Sequence, residues 1–73
     1  MIEWIPVDDS QRVVAVAYDA QNETIFVRFP HDVEWCYQAC PSHVWEDFMA
    51  PQTSKGRFIH EVLNHQPHHR HES

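Results

Sequence analysis

One glycine, two cysteines and five lysines and arginines are what this 73-residue chain has least of, and each shortage removes a class of function. With Gly56 the sole glycine there is no Gly-rich loop to cradle a phosphate, and neither a nucleophile elbow nor a paired-histidine metalloprotease helix occurs. Carboxylates and histidines are plentiful, but nothing in their spacing assembles a catalytic group, so the sequence predicts a non-enzyme without a cofactor. Disulfide-built mini-proteins of this length usually carry about four to eight cysteines, so Cys36 and Cys40 alone point to a reducing compartment. No apolar run is long enough to cross a bilayer, and the opening Met1-Ile2-Glu3-Trp4 sets an acid where a signal peptide carries positive charge. The expectation is a cytoplasmic protein with no membrane partner and no small-molecule substrate.

The five basic residues face eleven acidic ones, a net charge of −6 with histidine neutral. Arg70 and Glu72 cancel in the tail, so residues 1–63 carry all of it. Binding to nucleic acid mainly by phosphate neutralisation needs a basic patch, and this balance opposes a large one. Seven histidines make the sign soft, since protonating all of them would carry −6 to +1.

Aromatic residues are abundant instead: three Trp, four Phe and two Tyr. A chain of this size hides only about 60% of its unfolded surface, so rings that can each bury roughly 150–250 Å² read first as core. Oligomerisation is one way for so small a core to gain stability.

The apolar lead through Trp4, Ile5 and Val7, interrupted by Pro6, is expected to lie extended against the body, and Asp8-Asp9-Ser10 reads as a polar turn. Val13 to Tyr18 is the first predicted strand, with both faces apolar enough to be covered. A turn over Asp19 to Glu23 leads to a second strand from Thr24 to Phe29, with Ile25, Val27 and Phe29 on one face. Pro30-His31-Asp32 is a tight break before Val33 to Tyr37, whose alternation sets Val33, Trp35 and Tyr37 on one face and Glu34 and Cys36 on the other. Pro41 and Ser42 open a helix marked by Val44, Trp45, Phe48 and Met49, and Pro51 ends it. Thr53-Ser54 can cap a second helix marked by Phe58, Ile59, Val62 and Leu63. The fold class predicted is α+β, a three-stranded antiparallel meander followed by two short C-terminal helices packed on one face. Residues 1–63 form a single domain, and the His-rich tail, 64–73, is predicted to be disordered.

Several residue groups are candidates for chemistry. Ser54, Lys55, Gly56 and Arg57 form the basic cluster: a helix start offers unpaired N–H groups, glycine allows close approach and two cations flank it, so a phosphate could sit there. The same residues also suit a plain helix cap with solvated cations. Trp35 and Tyr37 suit a stacking platform for unpaired bases, or the floor of the core, and the core is favoured at this domain size. Cys36, Cys40 and His43 are the residue types of a zinc shell, but they lack an assigned fourth ligand and the spacing of a zinc knuckle; no metal is predicted, and buried thiols are favoured. His60, His65, His68, His69 and His71 together form a flexible chelator at most.

With these elements in place, the chain resembles the KTSC domain family over about residues 4–63. The matching residues are Ser10 with Val13 and Tyr18-Asp19, Ile25 to Phe29, and Trp35-Cys36-Tyr37 where the family has an aromatic-x-aromatic motif. Cys40-Pro41, Val44-Trp45 and Ser54-Lys55-Gly56-Arg57-Phe58 match the later half. Trp35 replaces the usual Tyr, and Pro30-His31-Asp32 lacks the expected glycine. The family occurs alone in bacterial proteins and at the C-terminus of some lysyl-tRNA synthetases, and that company suggests RNA binding. The resemblance thus implies a bacterial interaction module. Acidity favours a protein partner or self-association; the alternative is RNA held by Lys55 and Arg57 with Arg12 or Arg28.

Overall fold

A computed structural model describes residues 2–8 and 10–71. Asp9 of the expected polar turn, and Glu72 and Ser73 of the expected tail, lie outside the described residues. The fold is α+β, as the sequence predicts, but the sheet has five antiparallel strands rather than three. These are β1 (Ile5–Pro6), β2 (Ala15–Asp19), β3 (Thr24–Phe29), β4 (Val33–Tyr37) and β5 (His68–Arg70), paired in chain order. Helices α1 (Ser42–Met49) and α2 (Lys55–Glu61) and a 3-10 turn at Leu63–His65 lie between β4 and β5.

The three strands with apolar alternation form the centre, and the two additions sit at the edges. Strand β1 is two residues long and includes proline, which an edge tolerates; it pairs Ile5 with Val16 and Pro6 with Ala15. Strand β5 reads His-His-Arg, with no apolar residue to announce it. Its order comes from β4: the Gln38 N–H donates to the Pro67 carbonyl at 2.7 Å and the His71 N–H to the Glu34 carbonyl at 2.8 Å. The His68 ring lies 5.6 Å from Trp35 and 5.4 Å from Tyr37. The expectation of disorder from residue 64 therefore fails for 68–70, where a neighbouring edge supplies what the segment's own composition does not.

Both sheet faces are covered, by different means. Val16, Ile25, Val27 and Tyr37 face the helices and close a core with Val13, Cys40, Phe48, Ile59 and Leu63. Both helices pack on this face, and the Phe48 and Phe58 rings meet at 5.3 Å. On the opposite face Ala17, Phe26 and Cys36 form a smaller cluster against Ile2 and Trp4 of the extended N-terminal lead. Strand β2 starts at Ala15 rather than Val13, and Val13 is buried while Val14 is exposed.

The loops explain why the strands end where they do. The Asp19 carboxylate accepts from the backbone N–H of Gln21 and Asn22 and from the Asn22 side-chain amide at 2.7 Å, folding the chain back into β3. The Asn22 side-chain bond, ahead of the two backbone bonds, holds the Asp19 carboxyl below its ordinary range. Between β3 and β4, His31 (φ 69°) and Asp32 (φ 60°) both take left-handed backbone, a conformation that favours glycine.

Tyr18 ties the layers together. Its ring stacks on Trp45 at 5.1 Å with the planes 8° apart, and its hydroxyl donates to the Cys40 carbonyl at 2.8 Å. Burial, with Glu23 nearby, pushes that hydroxyl above the ordinary tyrosine range.

Two predictions follow from the loops and the edge. His31→Gly should raise stability by about 0.5–1 kcal/mol, after glycine's entropic cost, and lift Tm by several degrees in thermal unfolding; a lower Tm would contradict the left-handed turn. A chain ending at Gln66 should exchange the Gln38 amide with solvent at least about tenfold faster while Val27 stays protected; unchanged Gln38 protection would deny that β5 pairs with β4.

Candidate contact surface

The structure brings part of the basic cluster together with residues more than forty positions earlier. Ser10, Arg12, Ser54, Gly56, Arg57 and His60 line one depression of about 340 Å³. Ser54 occupies the N-cap position of α2, but its hydroxyl makes no capping bond. The segment before it is anchored by Thr53, whose hydroxyl donates to the Asp47 carbonyl at 2.8 Å and so ties the entry of α2 to the end of α1. On the facing loop, the Arg12 N–H donates to the Ser10 hydroxyl at 3.2 Å.

Gly56 faces Arg12 across the depression. A Cβ at this position would lie 3.5 Å from Arg12 Cδ, an ordinary van der Waals contact, so the approach does not demand glycine on steric grounds. Arg57 Nε donates to both Glu61 carboxylate oxygens, at 3.0 and 3.1 Å, in an exposed i, i+4 pair. Lys55 does not line the depression: it is half-buried, and its ammonium lies 5.8 Å from the Phe48 ring centroid. Arg28 is on another part of the molecule, 4.4 Å above the Trp4 ring and bonded through Nε to Glu34 at 2.8 Å. Of the arginines named for RNA contact, Arg12 and Arg57 share a surface and Arg28 does not. Hydroxyls and guanidinium groups at one mouth can receive a carboxylate or phosphate oxygen.

The other candidates separate. Tyr37 is buried in the core, and Trp35 is half-buried beside it under His68, so the pair belongs to the packed face. Cys36 and Cys40 lie in different clusters, on opposite faces of the sheet. The Cys40 thiol donates to the Tyr37 and Gln38 carbonyls at 3.4 Å, and burial pushes its pKa up. His43 is exposed on α1. Among the described residues no group of three or more His, Cys, Asp or Glu side chains is placed to hold a metal ion.

Two features have only faint signals in the sequence. The meeting of Ser10 and Arg12 with Ser54 is tertiary, and both serines lie in the segments that carry the family resemblance. A second depression, about 510 Å³, lies on the sheet face opposite the helices and includes Phe26, Cys36, His69 and His71. Its signal is the alternation of His69 and His71, which means nothing until residues 68–70 are known to be extended.

Comparisons with known proteins agree with this architecture. A search of curated proteins finds no match. Among solved structures, the crystal structure of a KTSC domain protein from Yersinia pestis is similar, with a TM-score of 0.86 and 25% sequence identity over 99% of this chain and 100% of that one. The KTSC domain pattern itself matches residues 9–66, which span the central strands, both helices and every residue lining the smaller depression. With most of its length matched and its fold shared, this chain belongs to the KTSC domain family.

Proposed function

We propose that this domain is a small non-catalytic interaction module whose contact surface is the depression between the Ser10–Arg12 loop and the start of α2. The observation that carries this is the convergence of Ser10 and Arg12 with Ser54, Gly56 and Arg57 at one mouth. The partner is a protein that offers a carboxylate there, a second copy of this acidic chain included. A net charge of −6 supports that choice, because a single acidic side chain meets the arginines while a polyanion must also face the rest of the surface. A reducing bacterial cytoplasm is the setting that fits the cysteine usage.

RNA is the second reading, favoured by the presence of Arg12, Arg57 and the hydroxyls of Ser10 and Ser54 around one depression. The two differ in salt response. Two phosphate contacts to a single strand, one for each arginine, give a log–log slope near −1.4, or a loss of roughly 7-fold in affinity between about 50 and 200 mM salt. A single carboxylate on a folded protein has no condensed counterion layer to release, so its contact changes less.

Affinity capture from bacterial lysate, with sedimentation of the isolated protein, tests the module itself. Arg12→Glu should reduce the recovered partner, or the self-associated fraction, at least about tenfold, since a charge opposed to an interfacial partner costs more than its loss. Both arginines are exposed, so the fold should survive. A strict monomer that captures nothing would sink the proposal. Separately, adding bulk tRNA at low salt should leave the amide signals of Ser54–Phe58 in place; shifts there that vanish with salt would hand the surface to RNA.

A further inference from the structure

The larger depression carries an inference independent of the contact surface. Strands β4 and β5 pair Cys36 directly with His69, and the two side chains point to the face not covered by the helices. Cys36 Sγ and His69 Nε2 are 3.0 Å apart. The sulfur is buried at the floor, and the imidazole is exposed at the rim, so one donor is held by the sheet while the other can adjust.

We propose that Cys36 and His69 form a binding site for one soft metal cation of the copper(I) class. Thiolate sulfur selects soft ions, and imidazole is a good second ligand for copper. Metal bonds of about 2.3 Å to sulfur and about 2.0 Å to nitrogen span about 3.7 Å at a trigonal angle and about 4.3 Å in a linear arrangement, so the exposed ring needs to move outward by roughly 0.7–1.3 Å. Binding replaces the thiol proton: the S–H bond breaks, an S–metal bond forms, and the proton leaves to solvent. His69 supplies the Nε2 lone pair from its Nδ1–H tautomer, with no change of charge.

The surroundings decide the class of ion. Asp19 and His71 line the same depression but are engaged: Asp19 holds the turn amides, and His71 packs edge-on against Phe26 at 5.1 Å with Nε2 4.0 Å from Glu34. Two protein donors with solvent completing the shell suit a monovalent ion that accepts low coordination. A divalent zinc ion in a structural site takes four protein ligands.

The alternation of β5 separates this site from a loose histidine chelator. His69 faces Cys36, whereas His68 faces Trp35 and Tyr37 on the other side of the sheet. Silver(I) in chloride-free buffer is the probe, bound to the full chain and stripped by competition with a small soluble thiol. The wild-type protein should hold one equivalent. His69→Gln should lose it at about tenfold lower competitor, because the chelate is gone, and His68→Gln should stay within about twofold of wild type. Cys36→Ser should not hold the ion, although Cys40 remains.

Equal weakening by both histidine variants would mean adventitious binding by the tail. No effect of His69→Gln would mean a thiol acting alone, and retention by Cys36→Ser would put the ion elsewhere. Each result overturns the site. Both histidines are exposed, so that pair of variants decides the matter even if Cys36→Ser does not fold.

Discussion

Cys40 is held at both ends of its peptide by residues from the β2–β3 hairpin, and the helical layer hangs from that clamp. Its N–H donates to the Glu23 carbonyl at 2.8 Å, and its carbonyl accepts the Tyr18 hydroxyl at the same distance. Pro41 follows at once as the N-cap of α1, so the clamp sets where the first helix starts and in which direction it leaves the sheet. Stacking of Tyr18 on Trp45, one turn into α1, fixes its rotation. Thr53 then passes the position of α1 on to α2, which brings Ser54 and Gly56 to the Arg12 loop. The basic depression thus sits at the far end of a sequence of local constraints that begins with one tyrosine.

The sheet divides the chemistry of the molecule. One face is closed by helices and carries the large side chains, Phe48 and Ile25 among them, with no exposure. The other is covered chiefly by the N-terminal lead, where Trp4 packs edge-on against Phe26 at 6.3 Å and supports Arg28. That thinner cover leaves space beside Cys36. Burial pushes the Cys36 thiol above its ordinary range, so at neutral pH it rests protonated; a hydrogen bond to the His69 carbonyl opposes the shift without reversing it.

How much of this was legible depended on whether a residue's neighbours lie near it in sequence. Alternation in Ile25–Phe29 and Val33–Tyr37 located the central strands because each side chain answers to a local period. The helical spacing of Trp45 and Phe48, and of Phe58 and Ile59, located both helices for the same reason. Strand β5 was not legible, since His68–Arg70 is ordered by hydrogen bonds to an edge some thirty residues away. The candidate surface is legible only in part: Ser54, Gly56 and Arg57 group by sequence, but Lys55 turns toward Phe48 and Ser10 joins from the opposite loop. No spacing rule connects residue 10 to residue 54. The missing glycine between β3 and β4 was visible, and its consequence is the left-handed backbone of His31 and Asp32.

The two outer strands carry a consequence for how the protein behaves in a crowded solution. An open sheet invites neighbours to extend its ladder, and this one exposes two borders. At one border β1 offers only two residues, and Pro6 has no N–H to donate. At the other, β5 is only three residues long and carries the charge of Arg70, which repels a like strand. Edge-to-edge extension of the sheet into filaments is therefore discouraged at both borders.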